Sequence, residues 1–122
     1  MSDWAAGDLD QVAAAEELQI GSSRPDGSLR PYVTIWVVRV GDDLYVRSYR
    51  GRNGAWFRSA LRHPEGRIRA GGVDREVAFE PAGDADQDAI DQAYRSKYAR
   101  FSYVDSMVSP DVRATTLRLV PH

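Results

Sequence analysis

The stretch from Arg30 to Val40, Arg-Pro-Tyr-Val-Thr-Ile-Trp-Val-Val-Arg-Val, constrains the fold of this chain more than any other segment. β-Branched and aromatic side chains suit a pleated strand, and here they fall on both faces. Tyr32, Thr34, Trp36 and Val38 share one face, Val33, Ile35 and Val37 the other. A strand that is apolar on both sides has to be covered on both sides, so the pattern predicts a central position in the sheet.

Most of the neighbouring segments read as strands as well. Leu18 to Ser23 alternates before the turn signal Pro25-Asp26-Gly27, and Leu44 to Tyr49 follows Gly41-Asp42-Asp43, with Leu44 and Val46 inward and Tyr45, Arg47 and Tyr49 on the opposite face. Arg67 to Ala70 and Asp74 to Pro81 flank Gly71-Gly72, a hairpin signal, and Ala114 to Val120 alternates as a last strand. Three segments break this period. Asp8 and Gln11 stand at capping-box spacing for an opening helix that ends near Glu17. Asn53 reads as the N-cap of a short helix carrying Phe57, Ala60 and Leu61, stopped by Pro64-Glu65-Gly66. Asp84 to Gln87 opens a longer one, whose stripe of Ile90, Ala93, Tyr94, Tyr98 and Phe101 predicts packing on the sheet. Six strands in largely antiparallel order, with inserted helices, predict a mainly β protein whose sheet closes into a small barrel. At 122 residues, one core and one domain spanning 1–122 are expected.

Composition narrows the chemistry. Apolar residues make up 43% and charged residues 28%, as in ordinary globular proteins. There is no cysteine and there are only two histidines, His63 and His122, which argues against disulfides, thiolate nucleophiles and metal centres. No apolar run approaches the roughly 20 residues that cross a bilayer, and the acidic, polar start lacks the features of a signal peptide, so no membrane and a cytoplasmic location are expected. The net charge of −2 is unevenly spread: from Leu44 to Arg75 eight arginines stand against two acids, Glu65 and Asp74. Such a segment predicts an anionic guest.

The chemistry concentrates where a strand runs through a glycine loop into a helix, from Val46 to Arg58. Arg47, Arg50 and Arg52 can offer planar forks to phosphate oxygens, the Ser48 hydroxyl can donate, and Gly51 and Gly54 permit close approach of the backbone. The free N–H groups at the helix start add an anion seat. Each arginine taken singly also fits a solvated surface position. Trp56 fits a packing anchor as well as a ring partner, and Trp36, Tyr32 and Thr34 fit a core or subunit contact as well as a ring pocket. Tyr98 and Tyr103 could shape a pocket, although a stripe at helical spacing usually packs in the core.

A strand ending in Arg47-Ser48, a glycine loop, Trp56-Phe57-Arg58 with Ala60-Leu61, and Pro64 resembles the deazaflavin-dependent nitroreductases and, more distantly, the pyridoxamine-phosphate-oxidase-like FMN proteins. From Leu9 to Pro121 the chain more closely resembles a bacterial family known as domain of unknown function 2255, through the run Arg30 to Val38 and the motif Gly71-Gly72-Val73. The resemblance implies a six-stranded antiparallel split β-barrel of the FMN-binding kind. It also implies a phosphate held by Arg47, Ser48, Arg50, Gly51, Arg52 and Asn53, and a ring laid across Tyr32 to Trp36, with Thr34, Trp36 and Trp56 at hand. The cofactor would be the deazaflavin coenzyme (factor 420) or FMN, at the seam of a homodimer. Lysine, common at the phosphate positions of FMN members, is absent from this loop.

Two functions follow as expectations: an oxidoreductase acting on a small organic substrate, or a cofactor-free small-molecule-binding or scaffold protein on the same barrel. Nucleic-acid binding through the arginine-rich middle is disfavoured by a pI near 5.6.

Overall fold

In the computed structural model, which describes residues 4–122, the strands form one seven-stranded antiparallel sheet. In chain order they are β1 (Leu18–Ser22), β2 (Val33–Ile35), β3 (Val38–Val40), β4 (Asp43–Val46), β5 (Glu65–Ala70), β6 (Val73–Pro81) and β7 (Leu117–Pro121). The helices are α1 (Ala6–Ala14), α2 (Ala55–Arg62), α3 (Gln87–Lys97), α4 (Val104–Met107) and α5 (Pro110–Arg113), and a 3₁₀ turn spans Gly51–Asn53.

The strand order is β2-β1-β5-β6-β7-β4-β3. The two outermost strands are therefore the two halves of the one stretch, Arg30 to Val40, that the sequence reads as a single central strand. Its first half pairs with β1, its second with β4. The sheet thus curls until its ends meet at Trp36-Val37, a split barrel with seven strands where six were expected.

Hydrogen bonding explains the break. The Val37 N–H donates to the Tyr98 hydroxyl at 3.2 Å, and the Val37 carbonyl accepts from Lys97 Nζ at 2.7 Å. Side chains at the end of α3 replace the ladder partners a continuous strand would have had. The Tyr98 hydroxyl itself donates to the Glu16 carbonyl at 2.6 Å.

Two apolar layers follow from this geometry. The barrel interior holds Leu18, Ile20, Val37, Leu44, Val46, Ile68, Val77, Phe79 and Leu119, with Phe57 and Ala60 of α2 and Leu9 and Val12 of α1 packed on it. Trp4 joins that core and donates its indole N–H to the Leu119 carbonyl at 2.9 Å. The second layer lies outside the barrel, where Ile90, Tyr94, Tyr98, Val104, Met107 and Val112 cover Val38 and Tyr45. The inward assignment of Leu44 and Val46 and the packing of the α3 stripe thus match the sequence reading.

Glycines mark the closest approaches. The hairpin at Gly71-Gly72 has φ of +57° and +85°, and a Cβ at Gly71 would lie 2.3 Å from the Gln11 carbonyl oxygen of α1. At Gly66 a Cβ would meet the Gly21 carbonyl oxygen at 2.1 Å and the Phe79 ring at 2.8 Å, so β1 and β5 pass at a separation only glycine allows.

Three caps differ from expectation. α1 starts at Ala6 with Ala5 in the cap position, so Asp8 sits in its first turn and faces Arg75 at 3.4 Å. Asp86 caps α3, accepting from the Ala89 N–H at 3.1 Å. The Gly51–Asn53 turn comes before α2, which makes Gly54 its N-cap and leaves Asn53 outside the helix.

Candidate functional site

A cavity of about 630 Å³ opens beside the Trp36-Val37 seam, within the size range of small-molecule sites. β2 contributes Val33, Thr34 and Ile35, and Trp36 follows. The end of β4 and the loop beyond it contribute Arg47, Ser48, Tyr49, Arg50 and Asn53. The start of α2 contributes Gly54, Ala55 and Trp56, while Tyr103, Met107 and Glu17 complete the wall.

The three arginines singled out in the sequence do not converge. Arg47 turns into the outer layer, where its side chain is fully buried. Its guanidinium donates to Asp91 Oδ1 at 2.6 Å, the Met107 carbonyl at 2.8 Å, Thr116 Oγ1 at 3.0 Å and Gln87 Oε1 at 3.0 Å, and stands 5.3 Å from the centre of the Tyr94 ring. With each nitrogen committed, it has none to give a ligand. Arg52 faces a separate cleft bounded by Phe57, Leu61 and Pro81. Gly51 stays outside the cavity and serves the turn, with φ of +65°. Arg50, by contrast, is exposed on the cavity and forms no ion pair among the described residues.

The positive stretch is partly neutralised by the fold itself. Arg47 meets Asp91, Arg67 meets Asp74 and Glu76, and Arg75 meets Asp8, so Asp74 within the stretch and acids outside it quench much of what a linear reading leaves for an anion.

An unpartnered polar group nevertheless stands in the cavity wall. Ser48 is 1% exposed, and its Oγ has no hydrogen-bond partner among the described residues. Its backbone is held by an N–H donated to Thr115 Oγ1 at 2.8 Å. The hydroxyl fits against α2 because residue 54 is glycine: a Cβ there would stand 2.3 Å from Oγ. Among the described residues no side chain caps α2, and its first turn contains no acid. The amides of that turn therefore keep their partial positive charge beside a spare hydroxyl, with Asn53 and Arg50 at the rim.

The other wall is aromatic. Trp36 stacks on Tyr98 with centroids 3.9 Å apart and planes 4° from parallel, and on Tyr103 at 4.9 Å and 20°. Tyr49 meets Tyr103 edge-on at 5.9 Å. Tyr103 and Tyr49 remain about half exposed, at 45% and 55%. Trp36 is stacked by both Tyr98 and Tyr103, so the freer platform is Tyr103. Trp56 serves both roles weighed for it, since it packs against the barrel core and also lines the cavity.

Thr34, Trp36, Ser48, Arg50, Asn53 and Trp56 are thus brought together. Glu17, Val33, Ile35, Tyr49 and Met107 join them without having been singled out as site residues. Tyr49 carried a signal, an outward aromatic at a strand end beside Arg50. Glu17 is legible only once the register is known.

Residues 8–119 match the model of a family described as an uncharacterized protein conserved in bacteria, DUF2255. No curated protein matches the sequence. Among solved structures, the heme storage protein HutZ from Vibrio cholerae aligns with a TM-score of 0.64 at 12% identity, covering 95% of this chain and 88% of that one. An F420 reductase aligns at 0.54 with 14% identity over 98% and 96% of the two chains. A FAD-binding protein from Mesorhizobium loti aligns at 0.56 with 15% identity over 98% and 91%. At these identities the likeness is one of fold. Among the described residues no group of three or more acids or histidines could hold a metal, and no helix is long and apolar enough to cross a membrane.

Proposed function

The chain belongs to this bacterial family, DUF2255, and on that premise we propose that its cavity holds a phosphate-bearing flavin or deazaflavin cofactor and that the protein is an oxidoreductase acting on a small organic substrate. The reading is carried by the orphaned Ser48 hydroxyl standing beside the uncapped first turn of α2 in the cavity wall. A buried hydroxyl without a partner is costly, and a phosphate oxygen supplies one. Helix amides add charge complementarity, and Arg50 can close over the anion from the rim. The structural relatives named for F420 and FAD are consistent with such a guest.

In this reading Ser48 donates to the phosphate, Arg50 and Asn53 hold it from the solvent side, and Thr34, Trp36 and Tyr103 flank the ring. When bound, the cofactor would supply the hydride or accept it. The residues of the chain bind and orient it and exclude water. A second copy of the chain would cover Val33, Tyr49 and Tyr103, which stand exposed around the cavity mouth; sedimentation of the purified protein as a dimer is the expected result.

One observation favours the cofactor-free reading: Arg50 is the single unpaired cationic side chain lining the cavity among the described residues, a thin complement for a phosphate-bearing guest. Titration with FMN and with the deazaflavin coenzyme separates the two. The cofactor reading expects a Kd below about 100 μM, or about −5.5 kcal/mol, and a loss of roughly 10- to 150-fold in Arg50→Ala. Arg52→Ala should bind as the parent does. Absence of binding by both cofactors hands the cavity to a cofactor-free ligand.

A further inference from the structure

We propose that the part of the cavity around Glu17 recognises an organic cation, with Glu17 as its counter-ion and Tyr103 and Tyr49 as its aromatic wall. The assignment deepens the reading above by giving the small organic substrate a charge. It rests on that reading only in placing ligands in this cavity.

Glu17 is the one carboxylate lining the cavity among the described residues. It is exposed, and among the described residues no ion pair or side-chain hydrogen bond engages it, whereas its neighbour Glu16 pairs with Arg100. The register explains its place: Leu18 of β1 stands opposite Ile35 of β2, so the preceding residue, Glu17, falls beside Trp36. Lys97, the cation at the adjoining seam, is turned onto the Val37 carbonyl at 2.7 Å. Burial above all, with the charge of Glu17 a lesser contributor, pushes the Tyr98 hydroxyl up to about 12.

Two attractions then act on the same guest. A carboxylate favours a positive group by direct charge, and the faces of phenol rings favour it through their quadrupoles, most strongly for alkylated ammonium groups. The same cavity lining thus carries both signs: helix amides and Arg50 suit an anion, Glu17 and the tyrosine faces a cation. A protonated or quaternary amine on an apolar body matches the second set.

The test uses benzyltrimethylammonium, benzyl alcohol and benzoate as probes of one shape class, titrated calorimetrically into the full chain at low salt. The cation should bind at least tenfold more tightly than either of the others. Glu17→Gln should bring it within threefold of benzyl alcohol, with FMN and deazaflavin affinity unchanged. Tyr103→Leu should weaken the cation more than the alcohol. Equal binding of the three probes, or a cation preference that survives Glu17→Gln, overturns the assignment. A cation preference without flavin binding supports it while removing the cofactor reading; flavin binding without a cation preference does the reverse.

Discussion

Replacing Arg47 by alanine separates a keystone from a ligand arm. The guanidinium makes four hydrogen bonds at 2.6–3.0 Å, one of them the ion pair with Asp91, whose side chain is 19% exposed. Without it the Met107 carbonyl loses this donor, and Asp91 keeps only the longer contact to Arg113 at 3.4 Å. An unsatisfied buried group costs about 1–3 kcal/mol, and removing one partner of a buried pair typically costs about 3–5 kcal/mol. Taking the larger range as the whole effect, the substitution would consume a fifth or more of an ordinary domain's stability of about 5–15 kcal/mol. At this chain length that corresponds to a fall in Tm of about 10–20 °C. Urea unfolding followed by far-ultraviolet circular dichroism measures it, with Arg95→Ala as control, because the exposed Arg95–Asp105 pair should contribute under about 1 kcal/mol. If Arg47→Ala cost less than about 1 kcal/mol yet abolished cofactor binding, the keystone assignment would be wrong.

The other predictions concern packing and protons. Gly54→Ala pushes a methyl against Ser48 Oγ and should abolish anion binding at a stability cost of about 1–3 kcal/mol; the double variant with Ser48→Ala should recover the stability but not the binding, as a double-mutant cycle would show. Gly66→Ala meets backbone rather than a movable side chain, and thermal unfolding should register a loss of 3 kcal/mol or more, on the order of the largest single-site effects. Lys97 has its pKa lowered by burial from 10.5 to about 8, so the unfolded chain binds more protons between those values and stability should rise with pH from about 8. The burial-raised phenols of Tyr98 and Tyr94 act oppositely above pH 10, where the unfolded chain ionises first. Tm measured against pH should therefore climb and then fall, and Lys97→Met should remove the climb.

Local signals were legible where they were local. Apart from the Arg30–Val40 stretch, the period-2 strands, the Gly71-Gly72 hairpin, the inward pair Leu44 and Val46 and the aromatic stripe of α3 follow from side-chain patterning and recur in the fold. What escaped were partners distant in sequence. Nothing near Val37 announces that Lys97 and Tyr98, about sixty residues on, will take its backbone bonds and split the strand. Arg47 was assigned to a ligand because its planar fork stands beside a glycine loop and a helix start in the sequence; its acceptors arrive from α3, the end of α4 and the residue before β7. Asn53 was read as a cap because its residue type favours one, yet the preceding 3₁₀ turn delays the helix by a residue and leaves the amide beside the cavity.

The halving of the Arg30–Val40 stretch also bears on how this protein behaves in a crowded solution. A sheet that ends in two separate strands offers two open ladders on which other chains can grow. Here both terminal strands are three residues long and are tied to each other covalently through Trp36-Val37. An intruding chain finds little ladder to extend, and the short length protects against edge-to-edge aggregation as charged or proline-blocked edges do in other β proteins.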